Sequence, residues 1–247
     1  MFCGIYLRSF VCFLVLLLSW PVCANPITIV TEHWTPYVYV DKSGEVVGSM
    51  TNRVRAIMVQ SGLAYTMSLY PWPRAYKIAQ TKPNVLIYPI YQTDERKDLF
   101  HFICPFSEKI GLYLFKLSAR DDIKLTSVED AKKYRIGLIR DDFDHALFLK
   151  QGFVDGKELD VNVDDNGSLK KLLKGRVDLM TQSLIGMERL LDEHKIDQDR
   201  LKPAYRIDID DTLSCLAMSL STPRATVDMV SEAMAHINNT QAMLKLE

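Results

Sequence analysis

From residue 27 onward, short β-branched or apolar runs of strand length alternate with stretches that repeat apolar residues at helical spacing, and the connections are short. That alternation leaves few solutions. A strand followed by a helix and another strand closes best as a parallel pair with the helix laid on the sheet, so repetition implies α/β sheets covered on both faces. Residues 27–30 form a first strand. Residues 38–40 and 45–47 flank Asp41-Lys42-Ser43-Gly44, a turn by composition. Val54, Ile57 and Met58 share one face of a helix over residues 50–61, which Gly62 ends. Residues 65–70 alternate as a strand, and Pro71-Trp72-Pro73-Arg74 opens a helix with proline in its first turn. The apolar run 85–88 reads as a buried strand.

The second half keeps the rhythm. Strands are expected at 111–117, 134–139, 159–163 and 213–220. Ser127-Val128-Glu129-Asp130 has the form of a capping box. Asp141-Asp142 precedes a helix with Leu147 and Leu149, and Gly167-Ser168 opens one with Leu169, Leu172 and Leu173. Gln182-Ser183 precedes another. The last helix begins after Pro223 and carries Val227, Val230, Met234 and Ile237 on one face.

Residues 88–106 carry the first chemical signal. Thr93 stands three residues before Arg96 with Asp94 and Glu95 between, so Thr93 is expected to cap a short helix whose first turn is acidic. Phe100 and Phe102 alternate as a strand that Pro105 closes. A strand, a turn projecting an arginine and an extended exit fix a guanidinium at the carboxyl edge of a sheet, where ligands bind in open α/β folds. A surface arginine paired with an acid is the plainer alternative.

Thr93-Asp94-Glu95-Arg96 followed by Phe100 and Pro105-Phe106 resembles a segment of the bacterial periplasmic solute-binding proteins of family 3, the amino-acid type. Pro36-Tyr37, Gly44, Gly48, Trp72 and Phe102 fall at matching spacing, and Gly175-Arg176-Val177-Asp178 resembles a helix-to-strand step of the same family. Pro71-Trp72-Pro73-Arg74 is similar to a subgroup of stand-alone binding proteins. The resemblance implies the type II two-lobe fold, with the second lobe inserted into the first and a cleft between them. Lobe 1 would comprise residues 25–105 and 217–247 and lobe 2 residues 106–216, with crossings near 103–107 and 211–216. It also implies ligand contacts from Trp34, Tyr37, Trp72, Arg74, Tyr91, Arg96, Asp142 and Ser183. For Tyr37, core packing is the favoured alternative, and for Asp142 a plain helix cap. The arginine of the family commonly holds a ligand carboxylate through its planar fork. Two departures stand out: Ser183 falls where amino-acid binders place an aspartate for the ammonium, and Asp141-Asp142 falls where they place Gly-Thr or Gly-Ser. The expected ligand is a small carboxylate-bearing or zwitterionic solute bridging Arg96 and the Asp142 region.

The first 24 residues are different in kind. Arg8 is followed by the apolar run 10–18, and Val22-Cys23-Ala24 places small residues before Asn25, the pattern of a secretory signal peptide cut after Ala24. The run is too short to span a bilayer comfortably, and a lipoprotein cut before Cys23 lacks the residues such a site requires. Cleavage removes Arg8 and no acid, so the basic count falls from 30 to 29 against 31 acids. With no basic run, nucleic acid and anionic membrane surfaces are poor partners. A soluble, monomeric periplasmic protein is expected, with a membrane permease or a sensor as its partner. Cys104 and Cys215 remain after cleavage; a disulfide or two buried thiols are open, and free thiols are the expectation. The five histidines show no metal-ligand spacing, and no nucleophile elbow or phosphate loop is present, so no metal, cofactor or enzymatic activity is expected. A docking protein without a transport role and a lyase on the same fold are the alternatives.

Overall fold

The computed structural model describes residues 26–108, 110–209 and 213–244. The proposed signal peptide and Asp211 lie outside them. In chain order the elements are β1 (Ile27–Thr31), β2 (Tyr39–Val40), β3 (Val46–Val47), α1 (Ser49–Ser61), β4 (Tyr65–Leu69), α2 (Trp72–Thr81), β5 (Val85–Gln92), β6 (Phe100–Ser107) and β7 (Leu112–Leu117). Then follow β8 (Ile136–Ile139), α3 (Phe143–Lys150), β9 (Leu159–Asn162), α4 (Asp165–Leu173), β10 (Leu179–Gln182), α5 (Leu184–Glu193), β11 (Leu201–Ile207), β12 (Leu213–Ser219) and α6 (Arg224–Leu244).

Ten of the strands form two five-stranded sheets, ordered β4-β1-β5-β12-β6 and β11-β7-β10-β8-β9. Side-chain alternation assigns each face its own core. In the first sheet Ile27 and Ile29 point one way, into Val54, Ile57 and Met58 of α1 and Val227 and Val230 of α6. Val30, Val85 and Ile87 point the other way, onto Trp72, Ala75 and Ala79 of α2. The second sheet is covered by Phe143 and Phe148 of α3 on one face. Leu169 and Leu172 of α4 and Met187 and Leu190 of α5 cover the other.

Neither sheet is wholly parallel, as the strand–helix rhythm alone would have it. β12 runs antiparallel to β5 and β6, and β7 antiparallel to β10 and β11. These are strands beside the passages between the sheets, where the chain enters from the opposite end. Strand β11 was not expected: Pro203 and the charges of Lys202 and Arg206 hide its pattern. It lies at a sheet edge, with a register shift after Pro203. For the same reason β6 continues through Pro105 to Ser107 instead of ending there; as an edge strand it can lose one N–H without breaking a ladder.

Two local expectations are corrected. Residues 93–99 form consecutive turns rather than a capped helix, with the Arg96 and Lys97 N–H groups donating to Thr93 O. Cys104 and Cys215 form a disulfide, with Cα atoms 4.6 Å apart, and are not free thiols. They stand on the neighbouring strands β6 and β12, whose pairing shifts between Ser214 and Leu216 and brings Cys215 beside Cys104. The expected crossings near 103–107 and 211–216 hold both cysteines and left the bridge open, but the strand pairing that decides it is not visible in the sequence.

Gly48 precedes α1 at φ 120°, and a Cβ there would stand 2.3 Å from Tyr37 O. Only glycine lets the hairpin and the loop carrying Trp34 and Tyr37 lie this close to the helix start.

Candidate functional site

The carboxyl ends of parallel strands from both sheets face each other. Glu32 follows β1, Asp142 lies beyond β8, Asp165 opens α4 after β9, and Ser183 follows β10. Between them, beside a wider cavity of about 180 Å³ that shares Glu32, Trp34, Trp72 and Asp165, lies one of about 70 Å³. Trp34, Trp72, Tyr91 and Phe143 supply aromatic wall, and Glu32, Asp142, Asp144 and Asp165 all line it. Among the described residues His33 is the single basic side chain of the lining, and no lysine or arginine takes part.

Contacts across the gap hold the two halves together. Trp34 Nε1 donates to Gln182 Oε1 at 3.2 Å, and Thr35 Oγ1 donates to Glu193 Oε1 at 2.8 Å. Tyr91 packs on Phe143 with ring centroids 5.0 Å apart. The Asp141 carbonyl accepts two donors from the first sheet's side, Trp72 Nε1 at 2.8 Å and Arg96 Nη2 at 2.7 Å. Asp141 is held at φ 60°, and its own N–H donates to His145 Nδ1 at 3.0 Å, while His145 Nε2 lies 2.9 Å from Asp155 Oδ1. An aspartate tolerates the left-handed region better than most residues, and here it aims a backbone carbonyl across the cleft.

Of the residues expected at the ligand, Trp34, Trp72, Tyr91, Asp142 and Ser183 line the cavity. Arg96 stands behind its wall: it is 3% exposed, donates to the Asp141 and Tyr91 carbonyls, and lies 5.4 and 5.2 Å from the Trp72 and Tyr76 ring centroids. Tyr37 packs against Trp34 and faces a neighbouring groove. Arg74 is exposed and lies over the Tyr70 ring, 4.4 Å from its centroid. Asp142 and Ser183 also cap their helices, accepting from Phe143 N–H and Gly186 N–H.

The electrostatics follow from enclosing four carboxylates together. Burial pushes Glu32 well above the usual carboxylate range, and Asp142, Asp165 and Asp144 add repulsion that Arg96 only partly offsets. Burial also raises Asp142, against Arg96 and the Phe143 N–H. Asp144 rises to about 8 through burial and Asp142, despite its bond from the Thr181 hydroxyl. Asp165 rises to about 7 for the same two reasons, opposed by the Gln182 amide at 2.7 Å. Among the described residues, no group of His, Cys, Asp or Glu is arranged to hold a metal ion.

Glu32, Asp144 and Asp165 were not singled out from sequence. Each sits within a few residues of a strand's carboxyl end, and that position was the available signal. The α4 start was expected at Gly167; Asp164 caps it instead, accepting from Gly167 N–H at 2.8 Å, which turns Asp165 into the cleft.

Two sheets facing each other across an acid-lined cavity define a two-lobed binding protein. The chain matches the family of bacterial extracellular solute-binding proteins, family 3, over residues 27–246, and belongs to it. No curated protein matches it by sequence. Similar solved structures include a histidine kinase sensor domain with similarity to periplasmic binding proteins (TM-score 0.75, 20% identity, 88% of this chain and 92% of that one). An ancestral arginine-binding protein bound to arginine aligns with TM-score 0.74 and 17% identity over 87% and 92% of the chains. The arginine-, lysine-, histidine-binding protein ArtJ from Geobacillus stearothermophilus gives 0.72 and 20% over 87% and 90%. At these identities the likeness concerns the fold.

Proposed function

We propose that this protein is a periplasmic receptor that closes two lobes over a small polar solute bearing a cationic group. The partner receiving the closed form is a membrane permease or a membrane-bound sensor. The observation that carries this reading is the cavity lining: among the described residues it holds four carboxylates and four aromatic rings and no lysine or arginine. A cation there gains Coulomb attraction in a poorly hydrated site and cation–π contact with Trp34 or Trp72. The zwitterion suggested by the Thr-x-x-Arg segment would direct its carboxylate to Arg96. That guanidinium is already engaged by two carbonyls, so the cationic end is the part of the ligand the geometry favours.

Closure follows from linkage. A ligand touching Glu32 on one lobe and Asp142 or Asp165 on the other binds the closed form better than the open one, and shifts the population by that difference. Mass spectrometry of small molecules released from natively purified protein, joined to a thermal-shift screen, tests this. One released amine or guanidine that also raises Tm is the expected result. Release of nothing, with no stabiliser among polar metabolites, contradicts solute binding.

A further inference from the structure

The same cavity says something about what its ligand lacks. Helix N-termini are the usual anion sites of such clefts, since their free N–H groups face the ligand. Here α3, α4 and α5 all begin at the cleft, and each is closed by its own side chain. Asp142 accepts from Phe143 N–H, Asp164 from Gly167 N–H and Ser183 from Gly186 N–H. Two of those three caps are carboxylates, which repel a second one.

Arg96, a cation near the cavity among the described residues, is walled off behind Trp72 and bound to the Asp141 and Tyr91 carbonyls. Glu32 is the converse. It is half-buried in the cavity wall, and it has no hydrogen-bond or ion-pair partner among the described residues. A carboxylate partly withdrawn from water, without a protein partner and facing a cavity, is open to a donor that a ligand supplies. The acids are not arranged to chelate a metal, so the missing partner is an N–H donor of an organic cation.

We infer that the cleft selects a small amine or guanidine that carries no carboxylate, with Glu32 as its unfilled acceptor and Asp142 and Asp165 flanking the charge. This rests on the solute-binding reading above and narrows it, from polar solutes bearing a cationic group to cations that carry no carboxylate. It also separates this protein from amino-acid receptors of the same fold by chemistry rather than by size. A ligand α-carboxylate would meet Asp142 and Asp164 where a receptor for amino acids needs donors.

The test is calorimetric titration of the intact mature protein with matched pairs that differ by one carboxylate: agmatine and arginine, cadaverine and lysine, putrescine and ornithine. At least one amine is expected to bind ten-fold or more tightly than its amino acid, and Glu32→Gln is expected to weaken that amine at least ten-fold. Circular dichroism and Tm of the variant guard against misfolding; replacing a half-buried side chain that has no protein partner should leave both near wild type. Equal or tighter binding of the amino acid in every pair overturns the inference while leaving solute binding intact. Failure of all six probes, with an anionic molecule released from the native protein, overturns it as well. Failure of all six with nothing released overturns the solute-binding reading itself.

Discussion

The Asp141 carbonyl oxygen accepts a 2.7 Å hydrogen bond from Arg96 Nη2 across the cleft, so the arginine fastens one lobe to the backbone of the other. A positive φ at Asp141 aims the carbonyl, and Trp72 Nε1 shares it. The guanidinium that in the family's pattern meets ligand here meets protein.

If Arg96 is a latch, replacing it should weaken every ligand by a similar factor, whatever its charge. Arg96→Ala is expected to cost about 1.5–3 kcal/mol of closed-state stability, the value of a charge-assisted hydrogen bond. Small-angle scattering should show a larger radius of gyration. Arg96→Lys should not restore the wild-type value, because one ammonium cannot reach both the Asp141 and Tyr91 carbonyls with the fork's geometry. A loss confined to carboxylate-bearing ligands would instead mark a direct ligand contact.

The disulfide ties β6 to β12, the two strands of the first sheet from which the chain passes to and from the second. Cys104→Ser with Cys215→Ser should lower unfolding free energy by about 2–5 kcal/mol, given the 111-residue separation that the bond closes. Calorimetry with and without reductant checks this: reductant should lower Tm of the wild type and leave the double variant unchanged.

The buried acids set a pH dependence with a definite sign. Asp144 and Asp165 hold protons up to about 8 and about 7 when folded, far above the ordinary aspartate value. The folded state therefore binds more protons than the unfolded one between these limits, and stability falls as pH rises. Their contribution is fully present below about pH 4 and is lost as pH climbs through 7 to 8. Tm of the ligand-free protein should accordingly decline over pH 5–8. A bound cation favours the ionised acids, so affinity for an amine should rise over the same interval, with proton release visible as a buffer-dependent titration enthalpy. Asp165→Asn should flatten both profiles below about pH 7 and leave the slope between 7 and 8, which belongs to Asp144.

Gly48→Ala adds a Cβ that would stand 2.3 Å from Tyr37 O at φ 120°. The backbone must move, at a cost of about 1–3 kcal/mol or more, and the loop bearing Trp34 moves with it. Lower Tm together with weaker ligand binding is expected.

The strand–helix alternation made most of the fold legible, because period-two and period-3.6 patterns are local. The two-lobe arrangement came through the resemblance around Thr93 to Phe106. What stayed hidden depended on contacts between distant residues. Cys104 and Cys215 become neighbours only through the β6–β12 pairing. Arg96 could be placed at the cleft from its turn, but its partner is a backbone carbonyl 45 residues away, which no side-chain pattern reports. Glu32, Asp144 and Asp165 are ordinary acids in sequence and become unusual only when two sheet edges enclose them together. Pro203 and Pro105 disguised strands that tolerate proline because they lie at sheet edges.

The most direct measurement is a crystal structure of the protein purified without unfolding, at a pH near 8, from its native compartment. The account predicts a small cationic molecule between Trp34 and Trp72, donating to Glu32 and to Asp142 or Asp165, with Arg96 still on the Asp141 carbonyl. A ligand anion held by the Arg96 guanidinium, or a ligand seated away from these acids, would contradict it.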